Sequence, residues 1–408
     1  MEFQISAKAK KTIFGVIGVG LVAFIIGIFQ NSETPQLPTR ILSNFLVDGL
    51  FFMGIALGAL FFLALQYATE TGWSVAIKRV VEGVSSYVVV GAIILVVLFL
   101  VLTFTDGGWF GALTNHGHHT GHIYAWMDPV VVEHDTIIQN KAPFLTKGFF
   151  WGVTVLYLGV YVLFYKGFRK RSLQEDLEGG TKIHFKNFAK GALFLVLFGY
   201  FSSTSSWHWI MSVDAHWFST LYGWYVFGGM WCTAMTTIML LILYLKKKGH
   251  LQAVNDSHIH DVGKWIFATS FLWSYLFFSQ FMLYWYADIP EEVIYYVTRI
   301  ENYKLIFWGM FMINFIIPML ILMSRDAKRN AGILMFVCLV IILGHWADVF
   351  MLVMPGTMGE FGNIGFLEIG LFMVFAGLFT YTVLTTISKA PLMPKNHPYL
   401  DESKHHDI

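Results

Sequence analysis

Charge is what this chain has least of. Only 13% of its 408 residues are Asp, Glu, Lys or Arg, about half the share usual in soluble domains. The few charges nearly cancel, 27 basic against 26 acidic, so a net +1 gives no electrostatic basis for nucleic-acid binding. Cysteine is almost missing. Cys232 and Cys338 both lie inside apolar runs, which excludes a disulfide framework, a Cys-rich metal site and an iron–sulfur centre. No CxxCH occurs, so covalently attached haem is excluded as well. No cleavage pattern follows the first apolar segment, and its basic flank (Lys8, Lys10, Lys11) suits a retained anchor.

What abounds is apolar: 56% hydrophobic residues and 17% aromatic. Crossing the hydrocarbon takes roughly 20 apolar residues as a helix, and ten segments qualify. They lie near 12–29, 41–67, 86–105, 148–166, 188–207, 219–245, 265–286, 305–323, 332–354 and 366–387. The expected fold class is therefore an all-α membrane protein with ten transmembrane helices. Basic residues orient it. With both termini inside, 22 of the 27 fall on the inner side. The outer side holds Arg40, Lys141, Lys147, Arg299 and Lys304. Both ends are expected in the cytoplasm. Segment 70–85, with Trp73, Lys78 and Arg79, reads as an interfacial helix along the headgroups. The tail from Ser388 reads as polar chain laid on the surface or on a partner.

Ionisable residues inside spans are costly and by default suggest function. Asp48 lies in the second span, His208 at the outer end of the fifth, and Glu368 near the outer start of the tenth. His345 and Asp348 share one face of the ninth at i, i+3 spacing. All fall in the outer half of the bilayer. Just outside, Asp214 and His216 follow His208 within SSTSSWHWIMSVDAHWF (202–218), whose hydroxyls approach the histidine along its own helix. Blander readings compete with each. A lone intramembrane Asp or Glu can simply bond a neighbouring helix. Asp214 can be no more than the N-cap of the sixth span, and the Ser/Thr run no more than small packing residues.

Residue spacing limits the redox groups this chain can hold. Only His208 and His345 could hold a bis-histidine haem, and they lie at different depths, so none is expected. His116, His118, His119 and His122 in NHGHHTGH could grip a metal, but this Gly-rich loop lacks a matching Cys or Asp pattern. No metal site is assigned. A quinol head needs proton-accepting groups in an aromatic-lined apolar slot. The seventh span offers FLWSYLFFSQFMLYWYADIPEE, with Gln280 and Tyr284 one turn apart and Asp288 at the outer end. Aromatic belts at any membrane interface give the plainer account. His-Trp occurs three times, at 208, 216 and 345, where composition alone gives about half an occurrence. Two of the three close the fifth and ninth spans, as two repeated four-helix units would place them.

WHWIMSVDAHWFSTLYGWYVFGGMW (207–231), FFSQFMLYWYADIPEEVIYY (277–296) and TGWSVAIKRVVE (71–82) resemble the polysulfide-reductase (NrfD-like) membrane subunits of bacterial alternative complex III, a quinol:cytochrome c oxidoreductase. The likeness covers nearly the whole chain, whose length is closer to the smaller, ActF-type subunit. It implies a bacterial inner membrane and two four-helix bundles flanked by single helices. The divisions are then 1–40, 41–207, 208–354, 355–387 and the tail 388–408. It also implies menaquinol as donor and partner subunits that carry iron–sulfur clusters and haem c, with a larger NrfD-like sister and a terminal cytochrome oxidase as further neighbours. Three functions follow for a chain without its own redox centre. It contributes a quinone-head environment or an outer-side proton path; it is a proton-coupled secondary transporter; or it is a purely structural scaffold. No residue is assigned as catalytic. The charge asymmetry generates a direct test: maleimide applied from outside should label a cysteine placed at Asn115 and miss one at Asn255. The reverse pattern overturns the orientation.

Overall fold

A computed structural model describes residues 3–104, 112–113, 119–120 and 123–407. The four loop histidines at 116–122 lie outside these residues, except for the backbone of His119 in a two-residue strand paired with Ala112–Leu113. Otherwise the chain is helical. In order, the helices are α1 Ala7–Gln30, α2 Leu37–Ala68, α3 Lys78–Ser85, α4 Tyr87–Phe104, α5 Pro129–His134, α6 Thr136–Asn140, α7 Lys147–Glu178 and α8 Lys182–Trp209. There follow α9 Tyr222–Lys247, α10 Asp256–Ala287, α11 Pro290–Asn302, α12 Lys304–Phe311, α13 Ile317–Leu322, α14 Ala331–Met358, α15 Phe366–Ile387 and α16 Leu400–Lys404.

Among the described residues, nine helical segments are long and apolar enough to cross a membrane, where the sequence suggested ten. The difference is α8. It is 28 residues long, but SSTSSWHW occupies its last turns and lowers its hydropathy below that of the others. The helix also runs through His208 and Trp209, so the expected boundary at 207/208 falls inside it. Polar residues set several helix starts. Thr146 caps α7, Asn255 forms a capping box with His258 on α10, and Asn330 caps α14. Between α12 and α13 the chain makes one π turn, Met312–Ile316. Pro318 follows it, and its ring and missing N–H account for the interruption.

The centre of the molecule is α2. In its most apolar window 94% of residues are buried, against 17% for α1. An all-round apolar helix belongs in the interior, and α4, α8, α9, α14 and α15 surround this one. Close approach requires small residues: a Cβ at Gly58 would overlap the Met230 carbonyl of α9. On the periphery α1 packs along α15, with Gly370 against the Phe24 amide.

Segment 70–85 does not lie on a headgroup surface. Ser74 through Ser85 are buried, and their charges are met by protein. Lys78 Nζ reaches Glu175 of α7 at 2.9 Å, and Arg79 joins Glu82 at 2.9 Å and Asp176. Arg169 and the Ser172 hydroxyl complete the shell of Glu82. The tail covers the same region: Ser403 Oγ donates to Trp73 O at 2.8 Å and accepts from the Ala76 amide at 3.0 Å.

The tight α2–α9 contact is testable. Gly58→Ala should lower the unfolding midpoint of the detergent-purified chain, with a stability loss of about 1–3 kcal/mol from overpacking. Gly152→Ala, where a Cβ meets nothing within 4 Å, should leave the midpoint unchanged.

Candidate functional site

Asp348 is a buried acid met by side chains of three helices. Helical spacing puts it one turn beyond His345 on α14, facing α9 and α10. From α9 the Tyr225 hydroxyl donates to its Oδ1; from α10 the Trp273 indole donates to Oδ2 at 2.8 Å. His345 Nδ1 stands 3.5 Å from the same oxygen, its ring edge-on to Trp273 at 5.1 Å between centroids. Its Nε2 is buried beside the Cys232 thiol. All five residues are buried. Two donors hold the carboxylate in place, and the neighbouring imidazole offers a site to which a proton can move.

This pair opens on a cavity of about 50 Å³ between α2, α8, α9 and α14. Ser202, Ser205 and Ser206 line its α8 side, so the hydroxyl run and the His/Asp pair, singled out separately in the sequence, meet at one space. Ser205 and Ser206 donate to the carbonyls of Ser202 and Ser203 at 3.2 and 2.7 Å, which leaves their lone pairs as acceptors. A water needs about 10–15 Å³ of such volume. The space therefore suits a few waters and is too small for a quinone ring.

The remaining candidates separate. Asp48 accepts from the Trp346 indole at 2.8 Å, across from the His345 side of α14. Glu368 is held by Arg40 through two bonds of 2.7 and 2.9 Å and by Asn44 at 3.0 Å, and its Oε2 takes the Gly365 amide at 2.8 Å. Arg40, read from sequence as a loop cation, is thus a buried clamp between α2 and α15. Gln280 is buried with Oε1 unpartnered, in a small cavity that Tyr225, Tyr296 and Arg299 also line. Tyr284, one turn on, donates instead to Phe218 O at 2.5 Å. Asp288 is exposed and ends α10 in a left-handed conformation, φ +47°.

Nor do His208 and Asp214 meet. His208 Nδ1 donates to Thr204 O at 2.9 Å and its ring stacks on Phe144 at 4.1 Å, while Nε2 has no partner. Asp214 does not cap α9, whose N-cap is Leu221. Its carboxylate pairs with Arg299 of α11 at 2.9 Å. That arginine is itself buried, donating to Tyr295 O and Met351 O and lying 3.3 Å over the Tyr295 ring. Trp217 stacks on the same tyrosine at 3.8 Å. His216 bonds Asp135 at 2.5 Å. Asp214, His216, Asp135 and Arg299 edge an open cavity of about 460 Å³ at this end of the molecule.

The sequence assigns no site role to Tyr225 or Trp273, and places Cys232, Arg40 and Arg299 only as a core thiol and two loop cations. Aromatics make up 17% of the chain, so no spacing marks the two that hold Asp348. The arginines sit at span edges and count as loop charge. No protein-family model matches the chain, and no curated protein matches it.

Burial raises the Asp135 carboxyl, but the Ile138 and Ile137 amides and the His216 ring outweigh it and hold it below the usual carboxylate range. Stability from this contact is therefore present above about pH 4 and lost as pH falls through and below that range. Protection of the amides across 135–141, relative to their intrinsic exchange rates, should fall as pH drops from about 5 to about 3. Asp135→Asn should abolish that step, and an unchanged step in the variant removes Asp135 as its cause.

Proposed function

We propose that this chain is an integral membrane subunit of a bacterial quinol:cytochrome c oxidoreductase of the alternative complex III type, and that it carries protons rather than electrons. The carrying observation is the convergence of His345, Asp348 and the α8 hydroxyls on one buried, water-sized cavity. A carboxylate with two fixed donors, an imidazole beside it and acceptor-lined space together can take up and hand on a proton. The cavity's volume favours the proton path over a quinone head at this place. Menaquinol, the larger NrfD-like sister, the iron–sulfur and haem c subunits and the terminal oxidase belong to the same reading through the sequence resemblance.

In this reading α8 is the tenth crossing. Its 28 residues span about 42 Å, enough for the hydrocarbon. Neighbour relations support two four-helix bundles, α2, α4, α7 and α8 against α9, α10, α12–α13 and α14, with α1 and α15 beside them. Loop contacts also divide into two ends: Asp214 with Arg299 and Arg40 with Glu368 at one, the tail with Trp73, Asp176 and Asp261 at the other. Alternating ends are what ten crossings with both termini inside require. The scaffold reading fits Asp48, Glu368 and Asp214, each held by a tryptophan or an arginine. The transporter reading needs broken helices in matching halves, and the π turn at Met312–Ile316 lies in the second half.

Asp348→Asn keeps an oxygen for the Tyr225 or Trp273 donor but removes the titrating group. In a complex purified from native membranes it should retain every partner subunit yet lower quinol:cytochrome c turnover by about tenfold or more, with a shifted pH profile. Full turnover in an assembled variant returns the pair to a structural role. A chain that purifies without haem c or iron–sulfur partners overturns the assignment to the complex.

A further inference from the structure

The inner end of the molecule holds a second cluster that the proton reading does not use. Glu175 at the end of α7, His184 at the start of α8 and His397 of the tail are all buried, and one ligand atom from each lies within 4.8 Å of the others. Their sequence positions gave no hint of this, since three separate segments supply them.

Two features set this cluster apart from an ordinary packed polar patch. First, its atoms lack partners. Both ring nitrogens of His184, Oε1 of Glu175 and the neighbouring Gln66 Oε1 are buried without a hydrogen bond. Buried polar atoms are nearly always satisfied, and a group left over calls for an ion or a water. Second, there is space of the right size. A cavity of about 20 Å³ is lined by Gln66, Tyr67, Lys78, His184 and His397, room for a single small occupant.

We propose that Glu175, His184 and His397 bind one divalent transition-metal ion, zinc being the best fit, and that the ion locks the C-terminal tail onto the inner ends of α7 and α8. Two imidazoles and a carboxylate form a donor set that zinc accepts in tetrahedral geometry, with a fourth position for water or another oxygen. The two imidazole rings have centroids 5.3 Å apart and are nearly perpendicular, close to the roughly 5 Å that two histidines on one tetrahedral ion require. Glu70 Oε1, 3.5 Å from His184 Nε2, is the nearest further oxygen.

The surroundings are organised for such a role. Lys78 holds Oε2 of Glu175 at 2.9 Å and leaves Oε1 for the ion, an outer-shell contact that fixes the carboxylate's orientation. Lys78 and Arg79 are cations that oppose another, but Glu82, Glu175 and Asp176 already pair with them. The tail is seated independently of any ion, since the Lys395 amide and the Asn396 side chain both bond Asp176 at 3.0 and 2.9 Å. His397 is thus delivered to the cluster before it ligates. Its Nδ1 meets the Tyr399 amide at 3.2 Å, a weak contact that ligation through either nitrogen releases.

The test uses the full chain, purified without a histidine tag and with His116, His118, His119 and His122 replaced by alanine, so that the outer loop cannot contribute. After chelator stripping and reloading with zinc chloride, elemental analysis should find about one zinc per chain. Cobalt(II) reloading should give the visible absorption of a tetrahedral site. His184→Ala and His397→Gln should each lower retained zinc at least fivefold, whereas His405→Ala, an exposed tail histidine, should not. Trypsin should release the tail of the stripped protein faster than that of the zinc-loaded protein. Because His397 lies in the tail, His397→Gln is expected to keep the gel-filtration profile, so its metal loss is readable even if His184→Ala misfolds. No stoichiometric zinc in the parent chain, or zinc retained in a well-folded His397→Gln, overturns the proposal.

Discussion

A carboxylate in hydrocarbon is tolerable only where donors come to meet it, and that requirement fixes the geometry around Asp348. Tyr225 on α9 and Trp273 on α10 both end on its oxygens. Three helices are therefore locked in rotation about their own axes as well as in position. Lipid offers no hydrophobic force to pull apolar helices together, so packing and such polar contacts must set the register. Once α9 is fixed relative to α14, its Met230 is presented to the glycines of α2, and the contact of Gly58 with the Met230 carbonyl can form. The water-sized cavity is what remains where α8 brings small hydroxyl residues to this junction.

At the two ends of the bundle the same requirement is met with arginine. Arg40 with Glu368, Arg299 with Asp214, and Arg79 with Asp176 each join elements far apart in sequence. A buried pair of this kind adds little net stability, because desolvation offsets the attraction, but removing one member costs about 3–5 kcal/mol. The planar guanidinium suits the task. Arg40 and Arg299 each serve several acceptors at once, carbonyls as well as carboxylates, which a lysine could do only as a point charge.

Much of this was readable from the sequence, and what was not has identifiable causes. Apolar run length located the helices, and i, i+3 spacing joined His345 to Asp348 before any coordinates. That Ser202, Ser205 and Ser206 face this pair depends on the rotation of α8, which a helix polar on one short stretch does not specify. Trp346 as the donor to Asp48 lies 298 residues away, beyond any local pattern. The amphipathic look of 70–85 suggested headgroups because Lys78, Arg79 and Glu82 had no visible partners. Their partners, Glu175, Asp176 and Arg169, sit on another helix. Asp214 looked like a cap because it precedes a helix, yet seven residues separate it from Leu221 at the cap position, and Arg299 claims it first.

The seat of the tail has a consequence for the order in which the chain is made. Ser403 closes hydrogen bonds to Trp73 and Ala76, 330 and 327 residues earlier. A ribosome adds about 5–20 residues per second, so roughly half a minute or less to more than a minute separates the emergence of these two partners. Throughout that interval the short helix at 73–77 must wait uncovered at one end of a half-built bundle. Maturation of the first half therefore ends only after Ser403 has left the ribosome.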